Sequence, residues 1–151
     1  FRYAPGTTEV HGALAEFAEQ RAGVCQDFAH LVVSLVRSWD FAARYVMGYV
    51  DAGVLASDEA PLQATHAWAE VLVPGAGWRG VDATVGLVTN DAYVPVAVGR
   101  ESRDAAPLRG TFKGDATGSP PQVAVRVSRA DQPRPPLEEE LLQQQQGQQA
   151  Q

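Results

Sequence analysis

Apolar residues recur at helical spacing in two stretches near the start of the chain, then give way to short apolar runs broken by turn residues. Val10, Leu14, Phe17 and Ala18 follow the breaker Pro5-Gly6 at steps of three and four. That predicts a first helix, with Thr7 or Thr8 as its N-terminal cap and an end near Gly23 in the left-handed region. Phe28, Leu31, Val32, Leu35, Val36 and Trp39 form a longer stripe. It predicts a second helix from about Cys25 to about Trp39, buried along one face. Ala43 to Val50 is rich in β-branched and aromatic residues and reads as a strand. Asp51 to Gln63 reads as a polar loop. Thr65 to Val73 reads as a central strand, apolar on both faces. Pro74 to Gly77 is a turn and Trp78 to Asp82 a returning strand. Tyr93 to Val98 and Gln122 to Ser128 are further strands, the second with Val123, Val125 and Val127 on one face.

Beyond Arg129 the pattern stops. Pro133, Pro135 and Pro136 precede Glu138 to Glu140 and a glutamine-dominated run. Such a segment cannot bury a core, so the chain divides into a folded domain, 1–129, and a disordered Pro/Glu/Gln-rich tail, 130–151. Leu137, Leu141 and Leu142 are too few to change that assignment.

Three polar residues stand in apolar settings within the folded part. The sole cysteine, Cys25, falls in the first turn of the second helix. Unsatisfied backbone N–H groups and the positive end of the helix dipole there favour an anion such as a thiolate. His66 and Asp82 fall on adjacent strands. A thiolate is the strongest side-chain nucleophile, an imidazole returns a proton to a leaving amine, and a carboxylate fixes its tautomer. Together they constitute a thiol acyl-transfer triad. The N–H of Cys25, lacking an intrahelical partner, would be the oxyanion donor.

Each residue also has a plainer reading. Cys25 could be a small buried hydrophobe, His66 a satisfied core histidine and Asp82 a turn or cap residue. His30 competes for the role of base. It lies five residues after Cys25, about 500° around an ideal helix, and so points elsewhere. His11 is expected on the solvent side of the first helix. Trp68, Trp78 and Tyr49 flank the triad motifs and read more readily as core than as cleft. The strand register raises a difficulty. If Val73 pairs with Trp78, Asp82 falls opposite Ala69 and His66 lies on the other face. A bulge or wider loop, permitted by Gly75, Gly77 and Gly80, would then be needed.

Composition narrows the classes further. The 151 residues suit one domain with an ordinary core. A formal charge of −6 argues against a nucleic-acid surface. No apolar run is long enough to span a bilayer, and no signal-peptide pattern is present. One cysteine excludes an internal disulfide and agrees with a reducing, cytoplasmic setting. Paired ligands at zinc-site spacing are missing, so neither metal nor cofactor is expected. The chain opens on Phe1, which suggests a fragment or processed chain. Oligomeric state is not legible.

Four motifs carry a resemblance. Gly23-Val24-Cys25-Gln26-Asp27-Phe28-Ala29-His30, Ala43-Arg44-Tyr45-Val46-Met47-Gly48-Tyr49, His66-Ala67-Trp68-Ala69-Glu70-Val71 and Gly77-Trp78-Arg79-Gly80-Val81-Asp82-Ala83-Thr84 resemble the bacterial transglutaminase-like superfamily, in its order. The group so resembled is often described as cysteine proteases. The resemblance spans about Phe1 to Ser128 and includes Val96-Ala97-Val98-Gly99-Arg100, Asp104, Pro107 and Gly110. After Arg100, where an acidic residue and an aromatic are usual, stand Glu101 and Ser102, so the aromatic is missing; Ala83 stands where proline is usual.

The resemblance implies an α+β, papain-like core with the nucleophile's helix packed on an antiparallel sheet. It implies Cys25 as nucleophile, His66 as acid/base and Asp82 as orienter, with His66 and Asp82 meeting despite the register difficulty. A β-rich region often precedes the catalytic part in such proteins, so an upstream domain is expected to be missing. The expected activity is thiol-dependent acyl transfer on amide or isopeptide bonds of a protein or peptide substrate, resolved by water. Transamidation of protein glutamine, or a non-catalytic binding module on the same fold, are the alternatives. The glutamine-rich tail is a candidate for self-association or for self-modification with Lys113.

Overall fold

The computed structural model describes residues 1–8, 12–51 and 65–106, with single positions 113, 125 and 127. The expected loop, Asp51 to Gln63, lies outside the described residues except for Asp51, as do the tail, His11 and the predicted strand 122–128 except for Val125 and Val127.

The predicted second helix is Cys25–Ser38, here called α2. Its start is set by Asp27, the third helical residue. The Asp27 carboxylate accepts the Val24 N–H at 2.8 Å and the Thr8 hydroxyl at 2.6 Å, both on Oδ2. A carboxylate in the first turn also complements the helix dipole. At the other end Arg37 donates twice to the Ala43 carbonyl, at 3.1 and 2.9 Å, and so ties the helix to the strand that follows.

The buried face of α2 keeps Phe28, Val32 and Val36 of the predicted stripe but is turned away from its Leu35–Trp39 edge. Leu35 and Trp39 are 45% and 66% exposed. Ala29 and Val33 are buried instead, with Cys25, Val32 and Val36 packed around them. Side-chain size misled the reading. The sheet opposite presents Ala43, Ala67 and Ala69, so a small residue at position 29 lets helix and sheet approach closely.

The first helix, α1, is Leu14–Gln20, shorter than expected. Neither threonine caps it. Thr7 donates to the Ala4 carbonyl at 2.7 Å, and Thr8 serves Asp27. The helix ends at Arg21, which takes φ 52° and returns its N–H to the Phe17 carbonyl at 2.9 Å. The left-handed position is therefore Arg21, not Gly23. Gly23 belongs to a short strand, β2 (Ala22–Gly23), paired in parallel with β1 (Arg2–Tyr3). Glycine is required there by space, because a Cβ would meet Asp27 Oδ2 at 2.5 Å and the Phe17 ring at 2.6 Å. Phe1, Phe17 and Phe28 form an aromatic cluster at this corner. Complete burial of Phe17 contributes roughly 2–3 kcal/mol.

The main sheet comprises β3 (Ala43–Val50), β4 (His66–Val73), β5 (Gly77–Asp82), β6 (Leu87–Val88) and β7 (Tyr93–Gly99). It is antiparallel throughout, in the order β6-β5-β4-β3-β7. Helix α2 packs on the face bearing Ala43, Tyr45, Met47, Ala67 and Ala69. A second apolar cluster, Val46, Val50, Trp68, Ala92 and Tyr93, occupies the alternate strand positions. The two-residue strands β1, β2 and β6 had no sequence signal, since they are too brief for a period to appear.

Candidate active site

The turn between β4 and β5 decides which side chains share a face. Pro74 and Gly75 are the central residues of a turn closed by the Ala76 N–H on the Val73 carbonyl at 3.0 Å. Gly75 takes φ 76°, as the third residue of a type II turn requires, and Gly77 takes φ 77°. Val73 therefore pairs with Gly77, not with Trp78, and the ladder runs on to Ala69 opposite Val81. One more step sets Asp82 opposite Trp68, so His66 lies two residues along on the same face. The one-residue difference from the expected register removes the need for a bulge between these strands.

His66 Nε2 and Asp82 Oδ2 stand 2.7 Å apart, and the two residues are 3% and 0% exposed. Asp82 is held by two further donors. The Tyr93 hydroxyl donates a hydrogen bond to Oδ2 at 2.9 Å, and the Thr84 N–H donates to Oδ1 at 3.0 Å. With Nε2 committed to Asp82, Nδ1 is the ring nitrogen left for the Cys25 thiol, whose proximity acts on the imidazole. Cys25 opens α2 and is half-buried against the Ala29–Tyr45–Met47–Ala67 cluster. The three predicted residues thus converge, from the start of a helix, the first residue of one strand and the last of its neighbour.

Electrostatics follow from this packing. Burial works to strip the proton from His66. The bonds to Asp82 and Cys25, and the negative charge of both, outweigh it and raise the imidazole to about 9. Burial likewise works to protonate Asp82. The bond and charge of His66, then Tyr93 and the Thr84 amide, outweigh it and hold the carboxyl below its ordinary value. The pair therefore rests as imidazolium and carboxylate at neutral pH. Burial and the nearby charge of Cys25 raise the phenols of Tyr3 and Tyr45, which flank the thiol from β1 and β3.

The remaining sequence candidates sit elsewhere. The His30 ring packs on Tyr45 at 4.9 Å, and its Nε2 accepts the Ser102 N–H at 3.0 Å. A groove of about 360 Å³ beside it is lined by His30, Ser34, Arg37, Arg100, Glu101 and Arg103, with none of the three convergent residues. Trp68 is core, packed edge-on against Tyr93 at 5.3 Å. Trp78 lies under the Arg44 guanidinium at 4.2 Å, and Arg44 also pairs with Glu70 at 2.6 Å. Tyr93 was read from the sequence only as the start of a strand. Nothing in residue spacing pointed to its bond with Asp82, which joins β7 to β5 across the two strands between them.

A family model, the transglutaminase-like superfamily core, matches residues 1–83, which include Cys25, His66 and Asp82. The chain belongs to the transglutaminase-like superfamily. Its α+β arrangement is that of this fold. A solved structure from Cytophaga hutchinsonii, described as a "putative cysteine protease", is 35% identical with a TM-score of 0.58, over 70% of this chain and 33% of that one. Curated superfamily relatives include an uncharacterized Mycobacterium leprae protein, 40% identical over 116 residues, 74% of this chain and 40% of that protein. An uncharacterized Mycobacterium tuberculosis protein is 36% identical over 138 residues, 84% of this chain and 42% of that protein. The chain therefore spans about two fifths of the length of these curated mycobacterial relatives. Among the described residues of this superfamily member, no helix is long and apolar enough to cross a membrane.

Proposed function

We propose that the protein is a thiol-dependent acyl-transfer enzyme acting on amide or isopeptide bonds, with Cys25 as nucleophile, His66 as acid/base and Asp82 as orienter. The observation that carries this reading is the buried 2.7 Å contact of His66 with Asp82, which leaves Nδ1 to the thiol at the head of α2. An ionic pair buried for stability alone is a poor investment, since desolvating both partners offsets most of their attraction. The same pair next to a thiol has a chemical use.

In the reactive form the thiol proton already rests on Nδ1, as the imidazolium, and the Cys25 Sγ attacks the carbonyl carbon as a thiolate. The developing oxyanion takes the Cys25 N–H, which has no intrahelical partner at the first position of α2. The imidazolium returns its proton to the departing amine, the C–N bond breaks and a thioester remains. A water molecule then gives a proton to His66 and attacks the thioester, whose C–S bond breaks to release a carboxylic acid and restore the thiolate–imidazolium pair. Water suffices for this second step, so hydrolysis of a protein or peptide is the favoured outcome. An amine in its place would give transamidation.

The test is peptide cleavage by the purified chain, followed by mass spectrometry, beside Cys25→Ala. Cleavage lost in the variant supports the reading. Cleavage retained at the same rate excludes it, and amine-adducted product in place of free acid moves the assignment to transamidation.

A further inference from the structure

We propose that Tyr93 is a positioning residue of this site: its hydroxyl locks the Asp82 carboxylate in the ionised, correctly turned state that holds His66. The inference rests on the proposed triad and goes beyond it. Asp82 is completely buried, and a buried carboxylate left with one donor tends to take up a proton. A protonated Asp82 would no longer hold the imidazolium by charge or fix which ring nitrogen faces the thiol. Asp82 instead receives three donors: His66 Nε2 and the Tyr93 hydroxyl on Oδ2, and the Thr84 amide on Oδ1. A carboxylate with two or three such bonds stays ionised well into acid.

The Thr84 bond comes from the turn two residues away and accompanies the local backbone. The Tyr93 bond does not. Tyr93 is the first residue of β7, which pairs with β3 and not with β5. Its ring is fixed edge-on against Trp68, whose own ring lies beside that of His66. The β3–β7 ladder slips between Met47 and Gly48, and Gly48 there is closed in by the Val94 carbonyl and the Trp68 ring. A bulge bends and twists its strand, and this one lies between the head of β7 and the rest of its ladder. The hydroxyl donates to the same oxygen as His66, so it sets the rotation of the carboxylate about its last bond as well as its charge.

The experiment measures the alkylation rate of Cys25 by iodoacetamide against pH, by intact mass, for wild type, Tyr93→Phe and His66→Ala, with a melting curve for each. The phenylalanine keeps the ring that packs on Trp68. The proposal expects the acid limb of the Tyr93→Phe profile to move up by about one pH unit, with labelling slowed about tenfold on that limb. A role in packing alone would lower the melting temperature and leave the limb in place, and that result overturns the proposal. If His66→Ala labels like wild type, the triad reading itself fails. If His66→Ala slows and Tyr93→Phe does not shift, only the positioning role fails. Should Tyr93→Phe not fold, proton NMR of the wild type decides: a slowly exchanging Tyr93 hydroxyl proton, lost as Asp82 takes up a proton in acid, supports the role, and a freely exchanging one overturns it.

Discussion

Replacement of Asp82 by asparagine removes the charge from the centre of the site while keeping the shape of the side chain. In the native arrangement Oδ2 accepts from His66 and Tyr93, and Oδ1 accepts from Thr84. An asparagine has one accepting oxygen. If it faces His66 and Tyr93, its NH₂ confronts the Thr84 N–H. If it faces Thr84, the NH₂ confronts both other donors. Either orientation leaves a donor opposite a donor in a site with no solvent. A hydrogen bond to a charged group contributes about 1.5–3 kcal/mol, and one pH unit corresponds to about 1.4 kcal/mol. The imidazole of His66, raised to about 9 in the native protein, should therefore fall by roughly one to two units in Asp82→Asn.

The consequence for stability has a definite sign. His66 is raised above its ordinary 6.5, so its contribution is complete below that value and is lost as pH rises through about 9. Asp82 is lowered from its ordinary 3.8, so its contribution is complete above that value and is lost as pH falls through the folded value. Stability from the pair should be greatest between roughly pH 4 and 6.5, and the alkaline decline should amount to about 3 kcal/mol. Asp82→Asn should flatten that decline. Histidine NMR titration and urea denaturation from pH 4 to 10 measure both effects. A His66 titration unchanged by the substitution would refute the reasoning.

Other predictions concern neighbouring groups. Gly23→Ala drives a Cβ onto Asp27 Oδ2 and the Phe17 ring, and should cost about 1–3 kcal/mol in urea denaturation. It should also slow Cys25 labelling, because Asp27 sets the start of α2. Gly48→Ala meets the Val94 carbonyl and Trp68, neither of which can withdraw, and should cost more than Gly23→Ala or prevent folding, as read by circular dichroism. Arg44→Ala loses one ion pair and the stack on Trp78 at the surface, and should cost no more than about 1 kcal/mol with Cys25 labelling unchanged. Amide hydrolysis should decline above about pH 9 as His66 loses its proton, in a rate profile taken across that range.

The parts of this structure legible in the sequence are those where periodicity and burial coincide. The α2 limits and the β3 strand follow from uninterrupted patterns of apolar residues, and the observed bounds agree within a residue or two. The buried face of α2 was misplaced by part of a turn because alanine carries little hydrophobic signal, yet Ala29 packs with Ala67 between helix and sheet. The threonines near α1 looked like caps, but one serves Asp27 nineteen residues away. No local pattern encodes that. The same holds for the site. The motif contexts brought Cys25, His66 and Asp82 forward, but their meeting depends on Val73 pairing with Gly77, a choice made by two glycines at positive φ in the turn. Tyr93 stayed hidden because its partner lies three strands away in a sheet whose order cannot be read along the chain.

The central claim is that Cys25 becomes acylated with help from His66. Intact mass after a brief exposure to a small activated acetyl ester tests it directly, on wild type, Cys25→Ala and His66→Ala. The account predicts rapid transfer of a single acetyl group to Cys25 in the wild type, no transfer in Cys25→Ala and slow transfer in His66→Ala. Acetylation that proceeds equally in all three, or that is found on other residues, would contradict it.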